Sequence, residues 1–284
     1  MPFRYCLLIA LLLPWQVFAQ SAGKITFTEG RLRLIRDASL MLGAQGVAIE
    51  AGDIVETAKP GFALIEFADG TVIALGDTTR VMLAHSAQGK AANGPQLFLL
   101  EGWLKVQSRS GDDAVAYNVS SPLQSVYLKG GSLIVHGGAT VGEVFVETGT
   151  ATVGVTDKQG RATSMVATKS GQFVTRAQDK APIPQFRPSN GFLGSMPSAF
   201  KDALPARLER FKDRNVEAKQ TAEVSYADVS DWLAAATSWR AGFVKRFEPR
   251  LSDAAFRQQL DAHIKNHAEW QVVLHPPAGK VAPR

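Results

Sequence analysis

The stretch GDIVETAKPGFALIEFADGTVIALG, Gly52–Gly76, decides the fold. Gly52-Asp53 opens a turn, and Ile54 to Thr57 is a short β-branched run. Lys59-Pro60-Gly61 breaks that run. Ala63 to Phe67 and Thr71 to Leu75 flank Asp69-Gly70, which predicts a hairpin with a primed turn, because Gly adopts positive φ without steric cost. The flanks alternate, so Ile65 and Phe67 share one face and Ile73 and Leu75 share one face of the partner strand.

The same punctuation extends on both sides. Lys24 to Gly30 and Arg31 to Arg36 read as two alternating strands. Leu97–Leu100, Glu101-Gly102 and Trp103–Val106 read as strand, turn, strand. Val144 to Val155 alternates through Gly149, and Gly171 separates Ala162–Ala167 from Gln172–Thr175. A polar, Gly/Ala-rich loop from Ala84 to Gln96 interrupts the series. Thr57–Gly76 is echoed by Ser120–Gly137, with Gly130-Gly131 in the place of Asp69-Gly70, which suggests two copies of one β unit. Residues 23–176 therefore predict a mainly β domain, a sandwich, β-roll or short solenoid.

Residues 177–197 hold Pro182, Pro184, Pro188 and Pro197 and read as a linker. Its Ile183, Phe186 and Phe192 suggest that it lies along a surface. Residues 198–275 predict a small α-helical domain. Ser198 is placed as a cap, Pro205 opens a second helix, and Ser225 with Asp228 forms a capping box. Val229, Trp232, Leu233 and Ala236 recur at helical spacing, and Ser252 is placed as the cap of a last helix carrying Phe256, Leu260 and Ile264. Residues 276–284 read as a disordered tail.

The chain of 284 residues has 45% hydrophobic and 20% charged residues, which suits a globular protein with room for two domains. A net charge of +5 without a basic stripe and interleaved aromatics gives no reason to expect a nucleic-acid partner. Residues 1–19 read as a signal peptide, with Arg4 in the n-region, Cys6–Leu13 as the apolar core and cleavage after Ala19. The apolar run is too short to span a bilayer, so no stable membrane insertion is expected after cleavage. Cleavage would remove Cys6, the only cysteine, and with it any thiol chemistry.

Few residues offer reactive chemistry. His263 and His267, spaced i,i+4, could face one metal with His275 as a third ligand, but Ile264 stands where H-E-x-x-H needs glutamate, so the plainer reading is a solvated helix end. His85 and His136 are each alone. Asp53 and Asp69 could be imagined as paired carboxylates, but both sit beside Gly in turns, where Asp bonds its own backbone. Ser132 lacks a G-x-S-x-G elbow. Trp103, Trp232, Trp239 and Trp270 could stack on sugars, but each lies in an apolar row that predicts core. Gly52, Asp53, Asp69, Gly70, Gly102, Gly149 and Gly171 are assigned as structural turn residues. No catalytic residue, cofactor or resident metal is expected.

The β region resembles the FecR family. The likeness rests on GKITFTEG (Gly23–Gly30), GDIVET (Gly52–Thr57), FADGTVIAL (Phe67–Leu75), LEG (Leu100–Gly102), VFVETG (Val144–Gly149) and SGQ (Ser170–Gln172). The second copy departs from the family's Thr-Pro and Gly-Thr, with Ser121-Pro122 and Gly130-Gly131. The resemblance implies a periplasmic, non-enzymatic β module. Namesake members relay a signal from an iron–siderophore receptor to a cytoplasmic sigma factor through a membrane helix. Here a leader stands in that helix's place, so only the module carries over. The expectation is an exported interaction, scaffold or signalling protein whose partner is an envelope or outer-membrane protein. The alternatives are a glycan- or peptidoglycan-binding module and an iron-uptake relay. The oligomeric state is open.

Overall fold

The structure, a computed structural model, describes residues 21–84, 93–111 and 114–276. The expected leader, His85 with most of its polar loop, and the tail from Pro277 lie outside the described residues. The chain opens with β1 (Ser21–Arg36), β2 (Ser39–Leu42), β3 (Ala48–Glu50), β4 (Ile54–Glu66), β5 (Val72–Leu75), β6 (Arg80–Ala84) and β7 (Asn93–Ser108). There follow β8 (Ala116–Ser120), β9 (Gln124–Gly137), β10 (Val141–Thr156), β11 (Ala162–Lys169), β12 (Phe173–Ala177) and β13 (Ile183–Gln185). The last part holds α1 (Asn190–Ser195), β14 (Lys219–Glu223), α2 (Tyr226–Leu233), α3 (Phe243–Phe247), α4 (Ala254–Ala262) and α5 (Gln271–Leu274).

Long strands bend and serve two sheets. Residues 54–57 of β4 pair with 32–35 of β1 and with β6, whereas residues 61–66 pair with 24–30 of β1 and with β5. In β7, residues 96–101 pair with β6 and residues 102–108 with 131–137 of β9. In β10, residues 143–149 pair with the second half of β9 and residues 151–155 with its first half. The first sheet thus runs β14, β2, β1, β4, β6, β7, β8, β9, β10, β11, and the second runs β3, β1, β4, β5, β7, β9, β10, β12, β13.

Gly102 faces Gly137 and Ser108 faces Gly131, so the β7 bend and the β9 bend lie at opposite ends of one ladder. That separation is about 20 Å at strand rise. Joined at both ends, the two sheets close into a flattened barrel with extra strands at its edges. The mainly β region followed by short helices is the architecture expected from the sequence.

Several expected turns are bends inside strands. Gly102 and Gly149 do not separate strands; each holds a positive φ (+100° and +82°) where a long strand crosses between sheets. Lys59-Pro60-Gly61 also sits inside β4. A bulge with a left-handed residue turns a strand while keeping the ladder on either side. The echo between Thr57–Gly76 and Ser120–Gly137 does not hold turn for turn, since Asp69-Gly70 closes a hairpin and Gly130-Gly131 bends a single strand. The repeated device is a pair of crossings, Gly30 against Gly61 and Gly131 against Gly149.

The Asp69-Gly70 hairpin forms with a longer loop than the primed turn. Phe67 N–H bonds Thr71 O at 2.9 Å, leaving three loop residues with Gly70 at φ +84°. The Asp69 carboxylate accepts from Thr71 N–H at 2.9 Å and from the buried Tyr117 hydroxyl at 2.7 Å. Burial pushes the Tyr117 phenol well above its usual value, so it remains the donor. Asp69→Ala removes the acceptor of both that hydroxyl and the turn N–H and is expected to cost about 1–3 kcal/mol in urea unfolding.

Inward residues of both sheets form one core, including Ile65, Phe67, Ile73 and Leu75 from the deciding stretch. Both outer faces are apolar as well. Ile35, Ile54, Met82 and Phe98 on the first sheet pack against Trp232, Trp239, Phe247, Phe256 and Trp270 of the C-terminal helical region. Leu64, Val72, Ala74, Trp103 and Ile134 on the second pack against Phe192, Met196, Phe200 and Leu204. The chain after β12 therefore travels round the barrel, covering one outer face and then the other. Each fully buried large side chain contributes about 1.5–3 kcal/mol.

Residues 198–225 are less helical than their periodicity implied. They hold 3-10 turns at Ser198–Phe200 and Leu208–Phe211 and the strand β14. Ser198 caps nothing, since Pro197 precedes the turn. Asp253, one residue after the expected Ser252, caps α4 by accepting from Ala255 and Phe256 N–H. The Ser225–Asp228 capping box forms at α2. In the linker Phe192 is buried, whereas Ile183 and Phe186 face solvent. No helix among the described residues is long and apolar enough to cross a membrane.

Candidate functional site

The bends of β1, β4 and β7 leave a cleft of about 840 Å³ at one end of the barrel. Its walls are Lys59 to Phe62, Glu101 to Trp103, His136 to Gly138 and the chain around Pro197. The Trp103 ring lies flat on the His136 imidazole, with centroids 4.1 Å apart and planes 9° apart. His136 Nδ1 lies 2.8 Å from Glu143 Oε2. Behind this stack, Thr79 Oγ1 takes the Trp103 N–H at 2.9 Å and Thr57 Oγ1 takes the Thr79 N–H at 2.9 Å. The buried threonines stitch the two sheets where the strands bend. Asp77 is committed to the Gly61 N–H at 2.6 Å. The cleft offers an aromatic–imidazole floor with charged rims, an arrangement suited to binding.

A second cavity, about 780 Å³, lies between the first sheet and the helices and contains Gly52 and Asp53. Asp53 is buried and receives Arg36 Nε at 3.0 Å and Nη2 at 2.6 Å. Its bond to Asp53 helps hold the Arg36 guanidinium above its usual value. Arg246 of α3 donates to the carbonyls of Ile35, Asp37 and Gly52. Burial pushes it down to about 10, still well above neutrality. Asp53 and Asp69 thus have separate partners and separate structural tasks.

The three histidines weighed as metal ligands are tied elsewhere. The helix ends at Ala262, so His263 and His267 do not share a helical face. His263 Nδ1 is 2.8 Å from Gln259 O, and His275 Nε2 is 2.7 Å from Asp261 Oδ1. His267 is buried, with Nδ1 3.2 Å from Leu233 O and Nε2 2.9 Å from the Tyr226 hydroxyl. A carbonyl can only accept, so Nδ1 carries the proton and Nε2 accepts from Tyr226. A solvated helix end would have left His267 exposed; burial among Tyr226 and Trp270 is the reverse. Among the described residues no group of three candidate ligands could hold a metal ion.

Burial lowers the His267 pKa from 6.5, keeping the ring neutral. The unfolded chain takes a proton below about pH 6.5 that the folded ring resists. The stabilisation is complete above that pH and is lost as pH falls toward the lowered folded value. Unfolding midpoints in urea between pH 7.5 and 5 are expected to fall in the unaltered chain and to fall less in His267→Gln, which can keep both bonds.

Sequence reasoning missed the ionisable clamps that join the barrel to its C-terminal wrapping. Glu66, buried on the second sheet, accepts from Arg207 and Leu208 N–H at 2.8 Å. Lys105 Nζ, also buried, donates to Phe200 O at 2.7 Å and Asp202 O at 2.9 Å. Glu56 joins Arg33 and Arg80, which reach Asp228 and Asp231 of α2. Glu56, Glu66 and Lys105 each interrupt an apolar strand in the sequence, and that was the available signal.

The buried charges Glu56, Glu66 and Lys105 of this closed β fold are committed to clamping its own chain. A family described as FecR protein matches residues 53–152. Two solved structures of a protein from Parabacteroides distasonis ATCC 8503, provisionally described as an anti-sigma factor, align at 14% identity with a TM-score of 0.39. The alignment spans 47% of this chain and 59% of theirs. No curated protein matches.

Proposed function

We infer that the protein is an exported, non-catalytic FecR-domain module that binds another envelope protein and serves as a scaffold or signalling element. The FecR match supports the class of protein. The edge strand β11 carries the mode of binding. Among the described residues it pairs with β10 alone; it runs for eight residues and holds no charge between Arg161 and Lys169. Met165, beside a register shift, lies over Gly154 of β10 and is 47% exposed. The other sheet edges are blunted, β3 by its three-residue length, β13 by Pro184 and β14 by Lys219 and Glu223. An extended segment of a partner chain is the occupant that matches a row of unpaired N–H and C=O groups.

The test is affinity purification from envelope extract with the unaltered chain and with a Thr163→Lys, Met165→Lys variant. Both positions are exposed, so stability is expected to change by less than about 0.5 kcal/mol. A partner recovered by the unaltered chain and lost with the variant supports the reading; equal recovery by both overturns β11 as the contact. N-terminal sequencing of exported protein is expected to begin at Gln20. An intact Cys6–Trp15 segment held in the membrane would favour the relay to a cytoplasmic factor. The glycan reading finds less support, because Trp103, Trp232, Trp239 and Trp270 are all at most 8% exposed.

A further inference from the structure

We propose that the outer face of the second sheet is a peptide-binding groove closed by the chain's own residues 196–208, and that an extended segment of a second protein can take their place. The strap has little structure of its own: one 3-10 turn, then seven residues with no helix or strand. It is held by barrel side chains that read its backbone. Lys105 takes two carbonyls. The Gln107 amide bonds both sides of Leu204, donating to its carbonyl at 3.1 Å and accepting its N–H at 2.8 Å. Glu66 takes two N–H groups, as above.

Backbone-reading side chains accept many sequences, so selectivity comes from the anchors. Met196, Phe200 and Leu204 point into the face at every fourth position, while Lys201, Asp202 and Ala203 between them are exposed. The partner segment that fits has an aromatic residue followed four positions later by an aliphatic one, with no requirement between them. Buried Lys105 and Glu66 disfavour an empty face, since without a segment each would keep only its barrel partner, Glu147 for Lys105 at 2.9 Å and the Thr26 hydroxyl for Glu66 at 2.6 Å. Displacement is therefore an exchange of one segment for another. A segment held at three spaced anchors, with exposed residues between them and no ladder hydrogen bonds, opens at lower free energy than the strands beneath it.

The probe is a fluorescent peptide of residues 196–208 added to the full chain. Phe200→Ala loosens the strap without altering the groove, and is expected to raise peptide affinity at least tenfold over the unaltered chain. Gln107→Ala in that background is expected to lower it at least fivefold, and Met165→Lys on β11 to leave it unchanged, which separates this groove from the edge strand. In the unaltered chain, the amides of Leu204, Arg207 and Leu208 are expected to exchange with deuterium at least tenfold faster than those of β4 and β5. A folded Phe200→Ala variant that takes up no peptide overturns the groove, as does strap exchange as slow as the strands. Phe200→Ala dimers with exchanged straps overturn a second protein as the occupant in favour of a second copy. If Phe200→Ala does not fold, the exchange measurement decides alone.

Discussion

Gly131→Val is expected to destabilise the barrel by about 3 kcal/mol or more, lowering the melting temperature by roughly 6–12 °C. Two independent effects act at this position. Gly131 has φ +107°, which a β-branched residue adopts only under strain. A Cβ there would stand 2.3 Å from the Thr148 carbonyl oxygen and 3.1 Å from the Gly149 Cα. Those atoms belong to backbone, so no side chain can swing aside. Relief requires separating β9 from β10 where both strands change sheets. Gly171→Ala is the control, because its φ of +80° is similar while nothing lies within 4 Å of an added Cβ. It is expected to cost about 1–2 kcal/mol from conformation alone. Equal losses in the two variants, measured by thermal and urea unfolding, would show that the close crossing contributes nothing.

Glu56→Ala is expected to cost about 2–3 kcal/mol, chiefly by loosening the helices from the first sheet. The Glu56 side chain is 7% exposed and holds Arg33 at 2.5 Å and Arg80 at 3.0 Å. Burial works against the charge of both arginines, and Glu56 with Asp228 and Asp231 more than offsets it. Removing the shared carboxylate leaves two guanidinium groups facing one another with only helix α2 to answer them. The figure is below that for a fully buried pair, because Arg33 is one-third exposed. Asp231, 65% exposed, is the contrasting partner, and Asp231→Ala is expected to cost under about 0.5 kcal/mol. Trp232, Trp239 and Trp270 make tryptophan fluorescence weighted to the helical side, so a transition by fluorescence preceding the loss of strand circular dichroism would locate the loss.

The fold class was legible because apolar alternation and turn residues are local signals. Ile65, Phe67, Ile73 and Leu75 reach the core by period alone, and the Ser225–Asp228 box needs only four residues to be recognised. The bends were not legible. Gly102 in a bulged strand and Gly70 in a hairpin offer the same composition, and only the pairing of residues far apart separates them. The second period also misled: Phe200 and Leu204 are four apart, as on a helix, but they anchor a strap whose backbone is satisfied by Lys105 and Gln107. Tertiary partners overrode local preference there. His267 was read from spacing as solvated or metal-bound, whereas its neighbours Tyr226 and Leu233 come from a helix more than thirty residues earlier. Edge strand β11 was visible as a strand, but not as an edge, since edges are a property of sheet order.

Because the C-terminal chain covers both outer faces of the barrel, the segment that carries the family likeness is smaller than the unit that can stand alone. The matched segment, 53–152, omits β1, which supplies a full ladder to β4, and omits all of the wrapping. A gene fragment cut at the limits of family likeness would encode a sheet with two greasy sides and an unpaired flank, prone to clump with its neighbours. A soluble version of that segment has to carry its cladding along or find a substitute for it.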